Sequence, residues 1–196
     1  MTTFVLATAN PHKTEEMRAV LGPLGIDLVA RPSDVADVQE TAATLEGNAL
    51  LKARALCEAT REAAIADDTG LFVDALDGHP GVYSARYAGE DATYDENVTL
   101  LLREMSDVPA DERGASFRTV IAVVYPSGES RCVQGVLEGR ITSSRRGENG
   151  FGYDPVFEPL DTGGRTLGEL SSSQKNATSH RARALRALVE ALEASS

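Results

Sequence analysis

Phe4-Val5-Leu6-Ala7-Thr8-Ala9-Asn10-Pro11-His12-Lys13 changes period halfway, and the fold turns on that change. Phe4 to Ala9 is a short apolar run of strand character, and Met17, Val20, Leu21 and Leu24 then recur at helical spacing. Asn10 suits the cap, where its side-chain oxygen accepts from first-turn N–H groups, and Pro11 suits the first helical position, where a missing N–H costs nothing. Gly25 is expected to end this helix, and Ile26 to Ala30 reads as a second strand. Strand, helix and strand in immediate succession make the chain α/β.

Downstream, Thr44 to Ala63 is rich in Ala, Leu, Glu, Lys and Arg and predicts a long helix despite Gly47. Ala64-Ile65-Ala66 reads as a short buried strand, Asp67-Asp68-Thr69-Gly70 as a turn, and Leu71 to Leu76 as another strand. An irregular loop runs from His79-Pro80-Gly81 to Gly89. Thr93 and Glu96 form a capping-box pair ahead of a helix with Val98, Leu101, Leu102 and Met105 on one face. Ser116 to Tyr125 and Arg131 to Ile141 predict strands joined across Pro126-Ser127-Gly128. A Gly-rich loop from Thr142 to Pro159 and a last helix with Leu185, Leu188, Val189 and Leu192 complete the chain. Ser106 to Gly114 and Asp161 to Arg165 read as surface connections.

The 196 residues, 42% of them hydrophobic, suffice for one substantial core and one domain over 1–196, with room for two lobes about a cleft. A net charge of -11 argues against long nucleic acid or an anionic membrane, both of which reward a basic surface. A small polyphosphate remains allowed, since it needs only a local cationic pocket and a divalent ion. No run is long enough to span a bilayer, and Met1-Thr2-Thr3 lacks a basic leader, so the protein is expected in the cytoplasm. Cys57 and Cys132 are expected reduced and buried, and His12, His79 and His180 lack zinc-ligand spacing.

Against 16 arginines stand three lysines, Lys13, Lys52 and Lys175, each inside a segment with ligand-binding character. An ammonium is a compact point charge, whereas a guanidinium is a wide planar fork, so lysine at these places suggests a crowded anion site. Thr8 to Lys13 brings helix N-terminal donors and an ammonium to one place, enough to seat a phosphate, although a capping Asn also serves structure alone. Asp67 and Asp68 diverge if the backbone is extended, so one of them faces any given site, where it holds Mg2+ or orients a water. Glu40 is the candidate second metal ligand. Phe151-Gly152-Tyr153-Asp154 offers a ring against which a base can lie, and Ser179-His180-Arg181 opens the last helix with three polar side chains.

Taken in order, Thr8 to Lys13, Asn48-Ala49-Leu50-Leu51-Lys52-Ala53, Ala66 to Gly70, Pro80 to Tyr87, Phe151 to Pro155, and Lys175-Asn176 with Ser179-His180-Arg181 resemble the inosine triphosphate pyrophosphatase family. That resemblance implies an elongated mixed β-sheet flanked by helices, two lobes with a central active-site cleft, Mg2+ dependence and a homodimer. It implies that Thr8, Asn10, Lys13 and Lys52 hold the triphosphate, that Glu40 and Asp68 bind the metal, and that Asp68 also accepts the proton of the attacking water. Thr69 would touch substrate, Phe151 in the Gly152-Tyr153 loop would stack on the base, and Asp154, Lys175, His180 and Arg181 would read its edge. Thr69 stands where many members have Ser, which keeps the hydroxyl, and Gly47 stands where many have Glu. The implied reaction converts inosine, deoxyinosine or xanthosine triphosphate and water into monophosphate and pyrophosphate. Alternatives are a related pyrophosphatase for pyrimidine or methylated nucleotides and a nucleotide-binding sensor without turnover.

Overall fold

A computed structural model describes residues 2–8 and 10–194. Ala9, which the sequence places in the first strand and the first motif, lies outside the described residues, as do Met1, Ser195 and Ser196. The fold is mixed α/β. Among the described residues seven strands, β1 (Thr2–Leu6), β2 (Ile26–Ala30), β3 (Ala64–Val73), β4 (Pro80–Gly81), β5 (Gly114–Val124), β6 (Ser130–Ile141) and β7 (Phe157–Pro159), form one sheet of order β2-β1-β3-β5-β6-β7, with β4 on β3. Five α-helices among the described residues flank it: α1 (Pro11–Leu21), α2 (Leu45–Thr60), α3 (Tyr94–Glu104), α4 (Ser172–Thr178) and α5 (His180–Glu193). β1 pairs in parallel with both β2 and β3, whereas β3–β4 and β6–β7 are antiparallel.

The opening strand-helix-strand order holds, although β1 ends at Leu6, and Ala7 and Thr8 lie beyond it. Asn10 caps α1 by accepting from the His12 and Lys13 amides, at 3.0 and 3.4 Å, and β2 spans Ile26–Ala30. The α-helix stops at Leu21, four residues before Gly25, because Pro23 enters a 3-10 turn over Gly22–Leu24, and Gly25 then closes that turn at φ 78°. Thr44 caps α2, and the predicted Thr93–Glu96 capping box opens α3. β5 and β6 are joined by a tight connection in which the Tyr125 amide donates to the Glu129 carbonyl.

Several expectations are corrected. Leu71 to Leu76 is no separate strand, since Leu71 to Val73 continue β3 and Asp74–Leu76 form a 3-10 turn, and the loops expected from His79 and from Thr142 contain the short strands β4 and β7. Asp67-Asp68-Thr69-Gly70 is no turn but the middle of the ten-residue β3, since flanking apolar residues bury the backbone and the sheet satisfies its polar groups. The connection from Ser106 to Gly114 is not all surface. Arg113 is buried and donates to the carbonyls of Ile141, Met105, Val108 and Thr142. Cys57 is buried as expected, Cys132 is only half-buried, and both are free.

The chain folds as two compact units. The first comprises Met1–Asp68, Thr119–Gly135 and His180–Ser196, and the second Thr69–Arg118 and Val136–Ser179. Phe4, Leu6, Met17, Leu21, Ile65 and Leu185 anchor the core of the first, where α1 and α5 pack on the sheet. Leu71, Leu101, Phe117, Phe157 and Leu167 anchor the core of the second. Among the described residues no helix is long and apolar enough to cross a membrane.

Candidate active site

In the first unit, the extended backbone of β3 sends Asp67 and Asp68 to opposite faces, and each side chain finds a different lysine. Asp67 Oδ2 lies 3.1 Å from Lys13 Nζ. Asp68 Oδ1 lies 3.3 Å from Lys52 Nζ, which also donates to Glu40 Oε1 at 2.7 Å. The long helix α2 delivers Lys52, the loop before it supplies Glu40, and the capped start of α1 presents Lys13 beside Asn10 and Thr8. The Thr8 hydroxyl accepts from the Asn10 amide at 3.1 Å. Thr8, Asn10, Lys13, Lys52, Glu40 and Asp68 thus all belong to one unit.

The two aspartates differ in electrostatics as they differ in direction. Burial opposes the charge of Asp67, but the Lys13 and Arg181 cations outweigh it and hold this carboxyl well below the usual range. For Asp68 burial prevails over the nearby Lys52, with Glu40 adding repulsion, so its carboxyl is raised. Burial lowers Lys13 despite Asp67. Lys52 is also buried, yet Asp68, Asp67 and Glu40 together raise it. A carboxyl raised by burial accepts a proton more readily than an unperturbed one, as a general base requires.

Asn48, in the first turn of α2, is fully buried; its Oδ1 accepts from the Ala42 amide at 2.9 Å, so its Nδ2 donates to Asp68 Oδ2 at 3.1 Å. Asn48 stands within one of the family motifs, yet the sequence assigns it no role, because a helical Asn has no local mark of such a contact. Local sequence likewise assigns no role to Asp67 or Glu16. Glu16 and Asp67 both accept from Arg181. His180 and Arg181 open α5 in this unit and are buried. Burial lowers Arg181, but Asp67 and Glu16 more than compensate.

In the second unit, Asp154 Oδ2 accepts from the Phe151 amide at 2.8 Å and from Lys175 Nζ, and that Nζ lies 4.5 Å from the Phe151 ring centroid. Gly152, at φ 62°, turns the backbone there in a conformation that side chains disfavour. Tyr153 is a core residue whose hydroxyl donates to the Ser84 carbonyl at 2.9 Å; burial raises its phenol. Ser84, from the Pro80 to Tyr87 motif, accepts from the Leu71 amide and donates to the Gly81 carbonyl, so that motif braces β3 against β4. Tyr94, absent from the sequence expectations, packs its ring 5.8 Å from Phe151. Thr69 follows Asp68 on β3, where the second unit begins.

A divalent ion fits this donor set. Among the described residues no three His, Cys, Asp or Glu side chains gather as a ready metal site, but Glu40 and Asp68 converge on one cation, the Lys52 ammonium. Mg2+ is commonly held by one or two carboxylates completed by waters and substrate phosphates.

The Ham1 family model matches residues 4–191. A dITP/XTP pyrophosphatase of Thermoanaerobacter sp. (strain X514) is 51% identical over 183 residues, 92% of this chain and 91% of that protein. A HAM1 protein from Coxiella burnetii superposes with a TM-score of 0.89 at 40% identity, covering 98% of this chain and 99% of its own. The nucleoside-triphosphatase / dITP/XTP pyrophosphatase of Mycobacterium abscessus gives 0.77 at 44% identity, covering 95% and 98%. Matched along nearly its whole length by the model, a relative and solved structures alike, the chain belongs to the Ham1 family.

Proposed function

We propose that the protein is a nucleoside triphosphate pyrophosphatase, a single functional domain over 1–196, that hydrolyses ITP, dITP and XTP to the monophosphate and pyrophosphate and so clears them from the nucleotide pool. The observation that carries this reading is the Asp67-Asp68 step on β3, which pairs one aspartate with Lys13 and leaves the other raised between Lys52 and Asn48. Names of relatives supply the substrate class.

Water attacks the α-phosphorus, one O–H proton passes to Asp68, and the bond to the bridging oxygen breaks with pyrophosphate leaving. Asn48 holds Asp68 by Oδ2, and Oδ1, which accepts from Lys52, is the oxygen that takes the proton. Thr8, Asn10, Lys13 and Lys52 bind the triphosphate, and the two ammonium groups offset charge that grows on the leaving group. Glu40 and Asp68 would hold Mg2+, which when bound neutralises phosphate charge and supplies Lewis acidity. Phe151 stacks on the base, Asp154, Lys175 and His180 recognise it, Gly152 and Tyr153 shape that loop, and Thr69 touches substrate. The reading includes a homodimer acting in the cytoplasm.

The test is a panel of nucleoside triphosphates assayed for pyrophosphate, with and without chelator. Pyrophosphate from ITP, dITP and XTP, lost on chelation and restored by Mg2+, is expected. Orthophosphate as first product, or binding without turnover, would reject it.

A further inference from the structure

Within the first unit, four charged side chains, Lys13, Asp67, Arg181 and Glu16, alternate in sign along one run of contacts. Lys13 Nζ lies 3.1 Å from Asp67 Oδ2. Arg181 donates to that same oxygen from Nε at 3.2 Å and Nη2 at 3.1 Å. Its Nη1 turns to Glu16. Lys13 and Glu16 lie one turn apart on α1, so the path leaves α1, crosses β3 and α5, and returns to α1. The side chains of Asp67 and Arg181 are 0% and 2% exposed.

A buried ionic network is weak as a stabilising device, because desolvation consumes most of the attraction. It does fix geometry. A lysine has a long flexible stem, and a freely rotating ammonium would lose order at a phosphate seat. Asp67 gives it one acceptor oxygen, and that oxygen is in turn held by the planar fork of Arg181, itself anchored at its far end by Glu16.

We infer that Asp67, Arg181 and Glu16 are positioning residues that hold the Lys13 ammonium at the triphosphate seat. This rests on the proposed triphosphate role of Lys13. It gives Arg181 a task through Asp67 in place of the base edge.

Asp67→Asn and Glu16→Gln would be measured in the parent and in a Lys13→Ala background, by kcat/KM for ITP and by binding of a non-hydrolysable ITP analogue. In the parent, Asp67→Asn is expected to reduce both about 10- to 100-fold and Glu16→Gln about 3- to 10-fold, whereas in Lys13→Ala each adds less than about 2-fold, the non-additivity of groups acting as a unit. Losses that multiply undiminished in the Lys13→Ala background would overturn the inference while leaving the pyrophosphatase reading intact. Parental binding and turnover in Lys13→Ala would instead remove the triphosphate role of Lys13 and the inference with it. Should Asp67→Asn fail to fold, Glu16→Gln at the partly exposed end carries the test, and parental values for the folded Glu16→Gln overturn the inference.

Discussion

Asp68 is raised by burial, so the folded chain holds its proton more tightly than the unfolded chain does. Its ionisation therefore costs stability as pH rises, and the folded state is relieved as pH falls through the raised value. Asp68→Asn removes that cost together with the base. Turnover is expected to fall by two or more orders of magnitude, roughly the contribution of a general base, while Tm at neutral pH stays level or rises. A drop in Tm by differential scanning calorimetry would mean that Asp68 is held for stability. Asp67 has the opposite sign: its carboxyl is depressed, so its contribution is full above the unfolded pKa and is lost only as pH falls towards the depressed value. Lys13→Arg keeps the charge but sets a second planar fork against the oxygen that Arg181 already shares. About a 10-fold loss in kcat/KM is expected, and parental kinetics would show that this place needs only a positive charge.

β6 and α5 meet at Gly135, where an added Cβ would fall 2.1 Å from the His180 carbonyl oxygen and 2.3 Å from the Ala184 amide. Nothing there is the movable end of a side chain, so α5 must shift, and α5 carries Arg181 to Asp67. Gly135→Ala is expected to cost about 1 to 3 kcal/mol in chemical denaturation, the usual toll of overpacking, and to reduce ITP hydrolysis as well. Full activity at reduced stability would separate the seat of α5 from the ionic network. The start of α3 provides a contrast, since Thr93 serves only its capping box. Thr93→Ala should cost about 1 kcal/mol, and because Tyr94 follows it and packs on Phe151, any rise in KM would show that order at α3 reaches the Phe151 loop.

In the proposed reading Phe151 stacks on the base while Asp68 carries the chemistry, so base choice and rate should separate under mutation. A 6-keto base accepts where a 6-amino base donates, and leaving a buried donor unpaired costs on the order of 1 to 3 kcal/mol, so ATP should be a poor substrate. His180→Ala is expected to narrow the gap between ITP and ATP. Arg181→Ala is expected to slow both by the same factor, because its donors are engaged by Asp67 and Glu16. A narrowed gap for Arg181→Ala in steady-state kinetics would return that residue to the base.

Phe4 to Lys13 could be read without tertiary information because period, capping Asn and helix-opening Pro are local signals, and the same holds for the Thr93 capping box and the span of β2. The motifs in their order likewise pointed to the family that the comparisons establish. Asp67-Asp68-Thr69-Gly70 could not be read that way, since its composition favours a turn and only pairing within a sheet makes it strand. Nor does local sequence tell that Asn48 reaches Asp68, that Arg113 fills with backbone carbonyls, or that Arg181 closes on Glu16. Each of these contacts joins residues far apart along the chain, and a side chain acquires such a partner only when the sheet and its helices have already set the distance between them.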